Sequence, residues 1–140
     1  MKAILVLIFA FTSVFAFAAS PAGLWKTIDD KTGKEKSLVR ITENGGVLSG
    51  AIEKLLDPNA KKDMVCDECT DDRKGKPVVG LNIIRGLKQD GEKWEGGTIL
   101  DPKSGKIYKA TIKVIEGGKK LELRGYIGPF FRTQVWLKAD

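Results

Sequence analysis

The chain has 140 residues, 42% of them hydrophobic and 30% charged, and its 24 basic and 18 acidic side chains give a formal net charge of +6. That size and balance fit one compact domain and exclude a disordered tail, a collagen-like chain and a multi-span membrane protein. There is no histidine, which removes the commonest general base and the commonest metal ligand together.

The first segment reads as an address. Lys2 gives a short positive start, Ala3 to Phe11 is unbroken apolar sequence, and Ala16-Phe17-Ala18 puts small residues at the two positions a signal peptidase reads. The expectation is a signal peptide over residues 1–18, cleaved near Ala18, and a single domain over residues 19–140. A membrane anchor is the competing reading, but Thr12 and Ser13 interrupt a run that barely reaches the ~20 residues of a span. No cysteine lies near the cleavage point, so a lipid-anchored form is not expected. The short start with one lysine has a bacterial character, which places the protein in the periplasm or outside the cell. Cleavage would remove Lys2 and no acid, leaving 23 basic residues from the full chain's 24. The charges are scattered in short runs of either sign. A mixed-charge soluble surface is therefore expected, with no nucleic-acid groove and no stable membrane insertion.

Beyond residue 19 the chain reads as strands separated by turns. Turn signals recur at Asp30-Lys31-Thr32-Gly33, Glu43-Asn44-Gly45-Gly46, Gln89-Asp90-Gly91, Asp101-Pro102-Lys103-Ser104-Gly105 and Glu116-Gly117-Gly118. Between them lie segments rich in β-branched and aromatic residues. Eight strands are predicted: Gly23–Asp29, Lys36–Thr42, Val47–Leu55, Gly80–Leu87, Lys93–Leu100, Ile107–Ile115, Leu121–Ile127 and Thr133–Lys138. Several alternate. Tyr108, Ala110, Ile112 and Val114 share one face, and Lys109, Thr111 and Lys113 share the other. Leu121, Leu123 and Ile127 oppose Lys120, Glu122 and Arg124 in the same way. Period two with one wet face means antiparallel sheet over a single core. Lys54–Lys62 allows only a short helix, because Pro58 limits it.

Consecutive strands joined by hairpins point to an all-β, eight-stranded, antiparallel up-and-down barrel. Closure removes the two raw edges that a flat meander would leave. Eight strands enclose an interior that side chains fill or that holds one small ligand. Gly50, Gly86, Gly96, Gly97 and Gly125 fall inside strands, where glycine permits bulges and sharp bends. A β-sandwich is the runner-up, disfavoured by the hairpin-length loops.

Residues 57–79 are the one long irregular stretch, and they contain Cys66-Asp67-Glu68-Cys69. A loop of this length is functional or tied down. A local Cys66–Cys69 disulfide fits an exported protein with two cysteines, and would add little stability because the ring is short. A redox pair is a second reading. Asp63, Asp67, Glu68, Asp71 and Asp72 count against it, because their charge disfavours a thiolate. A metal site is a third; without histidine it would need carboxylates to complete the ligand set. No metal or other cofactor is expected.

The large side chains supply the candidate site. Trp25, Trp94, Tyr108 and Tyr126 fall in predicted strands, and Phe130 and Phe131 follow one. Core packing accounts for each ring singly. Together they are candidates for the lining of a cavity, with Arg85, Arg124 and Arg132 as polar anchors, since pockets combine apolar walls with a few polar groups. The segment Gly125-Tyr126-Ile127-Gly128-Pro129-Phe130-Phe131-Arg132 reads as a lip at a barrel mouth or as an apolar plug.

Gly23-Leu24-Trp25 on the first predicted strand resembles the Gly-x-Trp signature of the lipocalin and wider calycin group. In that group the tryptophan packs at the closed barrel end against a basic residue of the last strand. By position that residue is Arg132, with Arg124 second. The chain more specifically resembles an exported bacterial family, domain of unknown function 2147. The shared features run from Gly23-Leu24-Trp25, Asp30 and Thr32-Gly33 through Cys66-x-x-Cys69 and Gly80-Leu81-Asn82-Ile83. They continue with Trp94-Glu95-Gly96-Gly97-Thr98-Ile99-Leu100-Asp101-Pro102 and Ser104-Gly105-Lys106-Ile107-Tyr108. Leu123-Arg124-Gly125-Tyr126 and Arg132-Thr133-Gln134-Val135-Trp136 complete them. The resemblance implies a lipocalin-like barrel, periplasmic or secreted, and no particular activity.

Three functions compete at this level. The first is a binding protein that holds a small apolar or amphipathic molecule in the barrel. The second is a filled barrel serving as an envelope structural or protein-interaction module through the 57–79 loop. The third is a carboxylate-based hydrolase, and it is the least favoured, so an enzyme is not expected. Ser37, Ser49 and Ser104 lack an activating motif, and the acids of Asp57-Pro58 and Asp101-Pro102 are explained by turn chemistry.

Overall fold

A computed structural model describes residues 3–10 and 20–140. The expected cleavage point after Ala18 lies outside the described residues, and residues 3–10 are exposed without regular secondary structure. Eight strands follow: β1 (Gly23–Ile28), β2 (Glu35–Asn44), β3 (Val47–Leu55), β4 (Asn82–Asp90), β5 (Lys93–Leu100), β6 (Ile107–Ile115), β7 (Lys120–Ile127) and β8 (Phe130–Lys138). Each pairs antiparallel with its neighbour in sequence, and β8 returns to β1 to close the barrel. A sandwich is thereby excluded.

The alternation read from sequence becomes the two sides of the wall. In β6, Ala110 and Ile112 are buried inside while Lys109 is exposed. In β7, Leu121 and Leu123 are buried and the intervening Glu122 faces out. The short helix allowed at Lys54–Lys62 does not form. Strand β3 runs to Leu55, and Asp57 then caps a turn by accepting the Asn59 N–H at 2.9 Å, the local bonding that makes aspartate a turn residue. Strand β4 starts two residues later than predicted, because Gly80 takes a positive φ in the preceding turn, and it runs three residues further, to Asp90. Strand β8 starts three residues earlier, at Phe130.

Because strand direction alternates, the connections sort to two ends. One end gathers the β2–β3, β4–β5 and β6–β7 links with the start of β1 and the end of β8. The other gathers the β1–β2, β5–β6 and β7–β8 hairpins and the long 56–81 connection. The core is continuous from Trp25, Trp94 and Trp136 through Leu48, Ile84 and Ile112 to Cys66, Cys69, Val78 and Leu81 of the long connection.

Two glycines mark close backbone approaches. A Cβ at Gly97 of β5 would collide with the main chain of Arg85 to Leu87 in β4. A Cβ at Gly105, in the β5–β6 turn, would collide with the main chain of Glu68 and Cys69. The first brings β4 and β5 together where the barrel bends. The second lets the long loop lie directly on the β5–β6 hairpin.

Candidate functional site

The end where β1 begins is sealed. Trp25 is 1% exposed and its Nε1–H donates to the Pro21 carbonyl at 2.8 Å. Trp136 lies opposite Leu121 and Trp94 opposite Ile112, all four buried and on the inner face. The Nζ of Lys138 stands 4.8 Å from the centre of the Trp25 ring and pairs with Asp140 at 3.1 Å. That pairing, together with the Leu24 N–H, holds the Asp140 carboxyl below its usual range. The basic partner of the Gly-x-Trp tryptophan is thus Lys138, not Arg132 or Arg124. The register gives the reason. β1 leaves the closed end as β8 arrives there, so Trp25 faces Lys138 at the end of β8. Arg132, near the start of β8, is at the opposite end and pairs with Asp30.

The other half of the interior is different. Its inward positions continue the alternation of the buried residues along each strand: Thr27 and Ser37, Ile99 and Tyr108, Gly125 and Arg132, with Gln134 opposite buried Leu123. Thr27 and Ser37 are buried and their hydroxyls are 2.6 Å apart. Leu55, Ile99, Tyr108 and Gln134 remain half-buried, and Arg132 is exposed. A Cβ at Gly125 would already touch the Tyr108 side chain, so the glycine leaves room for that ring. The Oε1 of Gln134 accepts from Trp136 Nε1 at 3.2 Å. The inward groups of this half run in a cup-like order, from a tryptophan floor past half-buried Leu55, opposite Ser37, and Ile99 and Tyr108 to a polar rim of Gln134 and Arg132.

The nine candidate residues therefore divide. Trp25 and Trp94 lie in the floor, Tyr108 in the wall and Arg132 at the rim. Phe130 is on the inward register of β8 but at its very start, and it is mostly exposed. Arg124, Tyr126 and Phe131 are on the outer wall and do not line the interior. Arg124 pairs with Thr111 and Tyr126 with Lys109, one residue out of step with buried Leu123 and Ala110. There the Arg124 guanidinium lies 5.0 Å from the Phe131 ring centre, and Phe131 packs against Tyr126 at 5.7 Å. The Tyr126 hydroxyl sits 3.5 Å from Thr111 Oγ1, and that contact, with the Arg124 charge, lowers its pKa.

Arg85 is also outside the barrel, where it belongs to the clamp on the long loop. Both of its terminal nitrogens donate to the Asp72 carboxylate at 2.9 Å, which lowers the Asp72 pKa. Arg73, which the sequence reading did not single out, completes the clamp. It is 2% exposed, donates Nη1–H to the Asn82 carbonyl at 2.8 Å and holds Asp71 through Nε and Nη2. Those bonds pull the Asp71 carboxyl down to about 2. The sequence signal was present in weak form: a lone arginine between an Asp pair and a Lys-Gly turn.

Within the loop, Cys66 and Cys69 form a buried disulfide, as the first of the three readings expects. The backbone around it folds into a miniature hairpin. The Cys66 N–H donates to Lys76 O at 2.8 Å, and the Val78 N–H to Met64 O at 2.9 Å. A cavity of about 200 Å³ lies where the loop meets β4, lined by Arg73, Lys76, Val79, Leu81, Asn82 and Arg85 among others. Both of its arginines are already bonded to Asp71 and Asp72.

The acids at the turns serve as caps. Asp101 accepts from the Lys103 N–H at 3.0 Å and the Ser104 hydroxyl at 2.9 Å. Asp29 accepts from the N–H groups of Thr32 and Lys31, which lowers its pKa.

The comparisons with known proteins agree with this architecture. The Helicobacter pylori protein HP1028, which belongs to the lipocalin family, superposes with a TM-score of 0.72 at 18% identity, covering 85% of this chain and 82% of that one. The likeness is one of fold: an all-β, lipocalin-like closed barrel. Among curated proteins no sequence matches. Residues 23–138, the whole span from the first strand to the last, match the family described as "Uncharacterized protein conserved in bacteria (DUF2147)", and the chain belongs to that family.

Proposed function

We propose that this protein is an exported bacterial binding protein that holds a small apolar or amphipathic molecule in the mouth half of its barrel. One observation carries the reading: inward side chains are sealed at the tryptophan end but stay reachable by solvent at the other, at Leu55, Ile99, Tyr108 and Gln134. Apolar walls with a few polar groups at the opening are the usual make-up of a small-molecule site, and an eight-stranded barrel is wide enough for one such ligand. Export is supported by the apolar leader over residues 1–18, the membership of a bacterial family and a disulfide of the kind kept outside the cytosol.

The test is native mass spectrometry of the protein purified from its own host, beside Ile99→Trp. An added mass on the wild type that is lost from a folded Ile99→Trp variant is the expected result. Wild-type protein that carries no added mass and takes up no apolar fluorescent probe would overturn the reading.

A further inference from the structure

Outside the barrel, exposed apolar side chains collect at the mouth. The β7–β8 hairpin ends in Ile127-Gly128-Pro129-Phe130, and Ile127, Phe130 and Phe131 are 58%, 76% and 56% exposed. Ile107, level with this turn at the start of the adjacent β6, is exposed as well. Among the described residues, the three hairpins of the closed end carry no exposed large apolar side chain. Single exposed apolar groups are ordinary, but a cluster of them marks a surface that is covered in use.

What stands behind the tip identifies the cover. Counting back along the hairpin, Phe130 lies opposite Ile127, then Phe131 opposite Tyr126, Arg132 opposite Gly125 and Thr133 opposite Arg124. Lys109 of β6 lies beside Tyr126. At ~3.4 Å per residue, the cations stand roughly 3–10 Å behind the apolar tip. Glu122 and Asp30 accompany Arg124 and Arg132 as ion-pair partners, and Lys109 has none among the ion pairs of the described residues. Apolar tip, then a hydroxyl-bearing ring with Lys109 level with it, then two ion-paired arginines is an order of groups that suits hydrocarbon, interface and phosphate in turn. The tip is a convex two-residue turn, suited to entering a soft surface. We infer that the β7–β8 hairpin docks the barrel, mouth first, on a lipid membrane with anionic headgroups.

The inference concerns the hairpin tip and the cations around it, of which Arg132 also stands at the rim, and does not depend on what the cup holds. Its test uses the full-length gene product as its host processes it, wild type against Phe130→Ser/Phe131→Ser, so that both proteins share one N-terminus. Each is floated with phosphatidylcholine vesicles that are either pure or contain about 30% phosphatidylglycerol. The wild type is expected to rise with the anionic vesicles and less with the neutral ones. The double variant, melting at the wild-type temperature, is expected to bind them ~10-fold more weakly or worse, because two aromatic rings no longer leave water. Three results overturn the inference: wild type that does not float, a double variant that floats as well as wild type, or self-association of the wild type that the substitutions abolish without any vesicle binding. Retained cup ligand in the double variant, seen by mass spectrometry, keeps this outcome separate from that of the binding proposal.

Discussion

The two ends of this barrel share the same eight strands and differ in what the strands point inward. At the closed end three tryptophans and their aliphatic neighbours exclude water, and Lys138 seals the outside of Trp25. At the mouth the inward row turns to Thr27, Ser37, Tyr108, Gln134 and Arg132, and the long loop is clamped outside the barrel on β4 and the β5–β6 hairpin. Strand pairing alone makes a wall. Which half is sealed and which stays open to solvent is decided by the size and polarity of alternate residues, at no change in backbone topology.

Emptying the floor should do the most damage. Trp136→Ala removes a fully enclosed ring from the closed half, and the surrounding aliphatic side chains cannot collapse into the gap. The expected loss is roughly 3–5 kcal/mol of unfolding free energy, read by urea denaturation. A loss below about 1 kcal/mol would mean that the closed end is not the stabilising half.

Next in size is the loop clamp. Arg73→Ala strips the Asn82 carbonyl and the Asp71 carboxylate of their donors. The expected cost is about 1–3 kcal/mol, at the lower end because Asp71 keeps some contact with water. The damage should be local: protease cutting or hydrogen exchange should rise within residues 57–79 and not in β6 and β7. The same clamp gives a pH signature. The Asp71 carboxyl is pulled from its usual 3.8 to about 2 by the Arg73 side chain and backbone N–H. A carboxyl held low in the fold stabilises it above its unfolded pKa and loses that contribution as pH falls through the folded value. Wild-type stability should therefore fall between about pH 4 and pH 2 in excess of the fall in Asp71→Asn, measured by thermal melting across that range.

Part of this contrast between the two ends is legible in the sequence and part is not. The strands were legible because Ala110, Ile112, Leu121 and Leu123 alternate with charged residues, a local signal. The strand starts at Phe130 and Asn82 were not. Gly128-Pro129 looks like a long loop, yet a two-residue turn suffices, and Gly80 looks like a strand glycine, yet it serves the turn. The floor residues Trp25 and Trp94 were legible by size. Arg124 was not placed correctly although its own alternation with Leu123 set it on the wet face; the aromatic neighbourhood drew it inward. Lys138 depends on a contact between positions 113 apart in sequence (Trp25 and Lys138), and Arg73 on a loop folding back to β4. Neither kind of contact leaves a periodic trace.

A smaller effect sharpens the account of the closed end. Lys138→Met keeps the aliphatic stem over Trp25 and removes the charge. The Lys138 side chain is 31% exposed, so the loss should be about 0.5–1 kcal/mol, by chemical denaturation. An unchanged midpoint would make the lysine's stem, not its charge, the part that covers the ring.

The smallest expected effect on stability belongs to the most exposed aromatic. Phe130 stands at the hairpin tip with little packed against it, so Phe130→Ser removes almost no burial, and the unfolding free energy should move by no more than about 0.5 kcal/mol. A ring that adds so little to stability, clustered with exposed Ile127 and Phe131, would owe its place to a surface outside the fold. Should Phe130→Ser instead cost as much as a floor residue, the tip would be packed into the mouth in solution. The hairpin would then act as a plug over the cup, and the contrast between a sealed end and an open one would disappear.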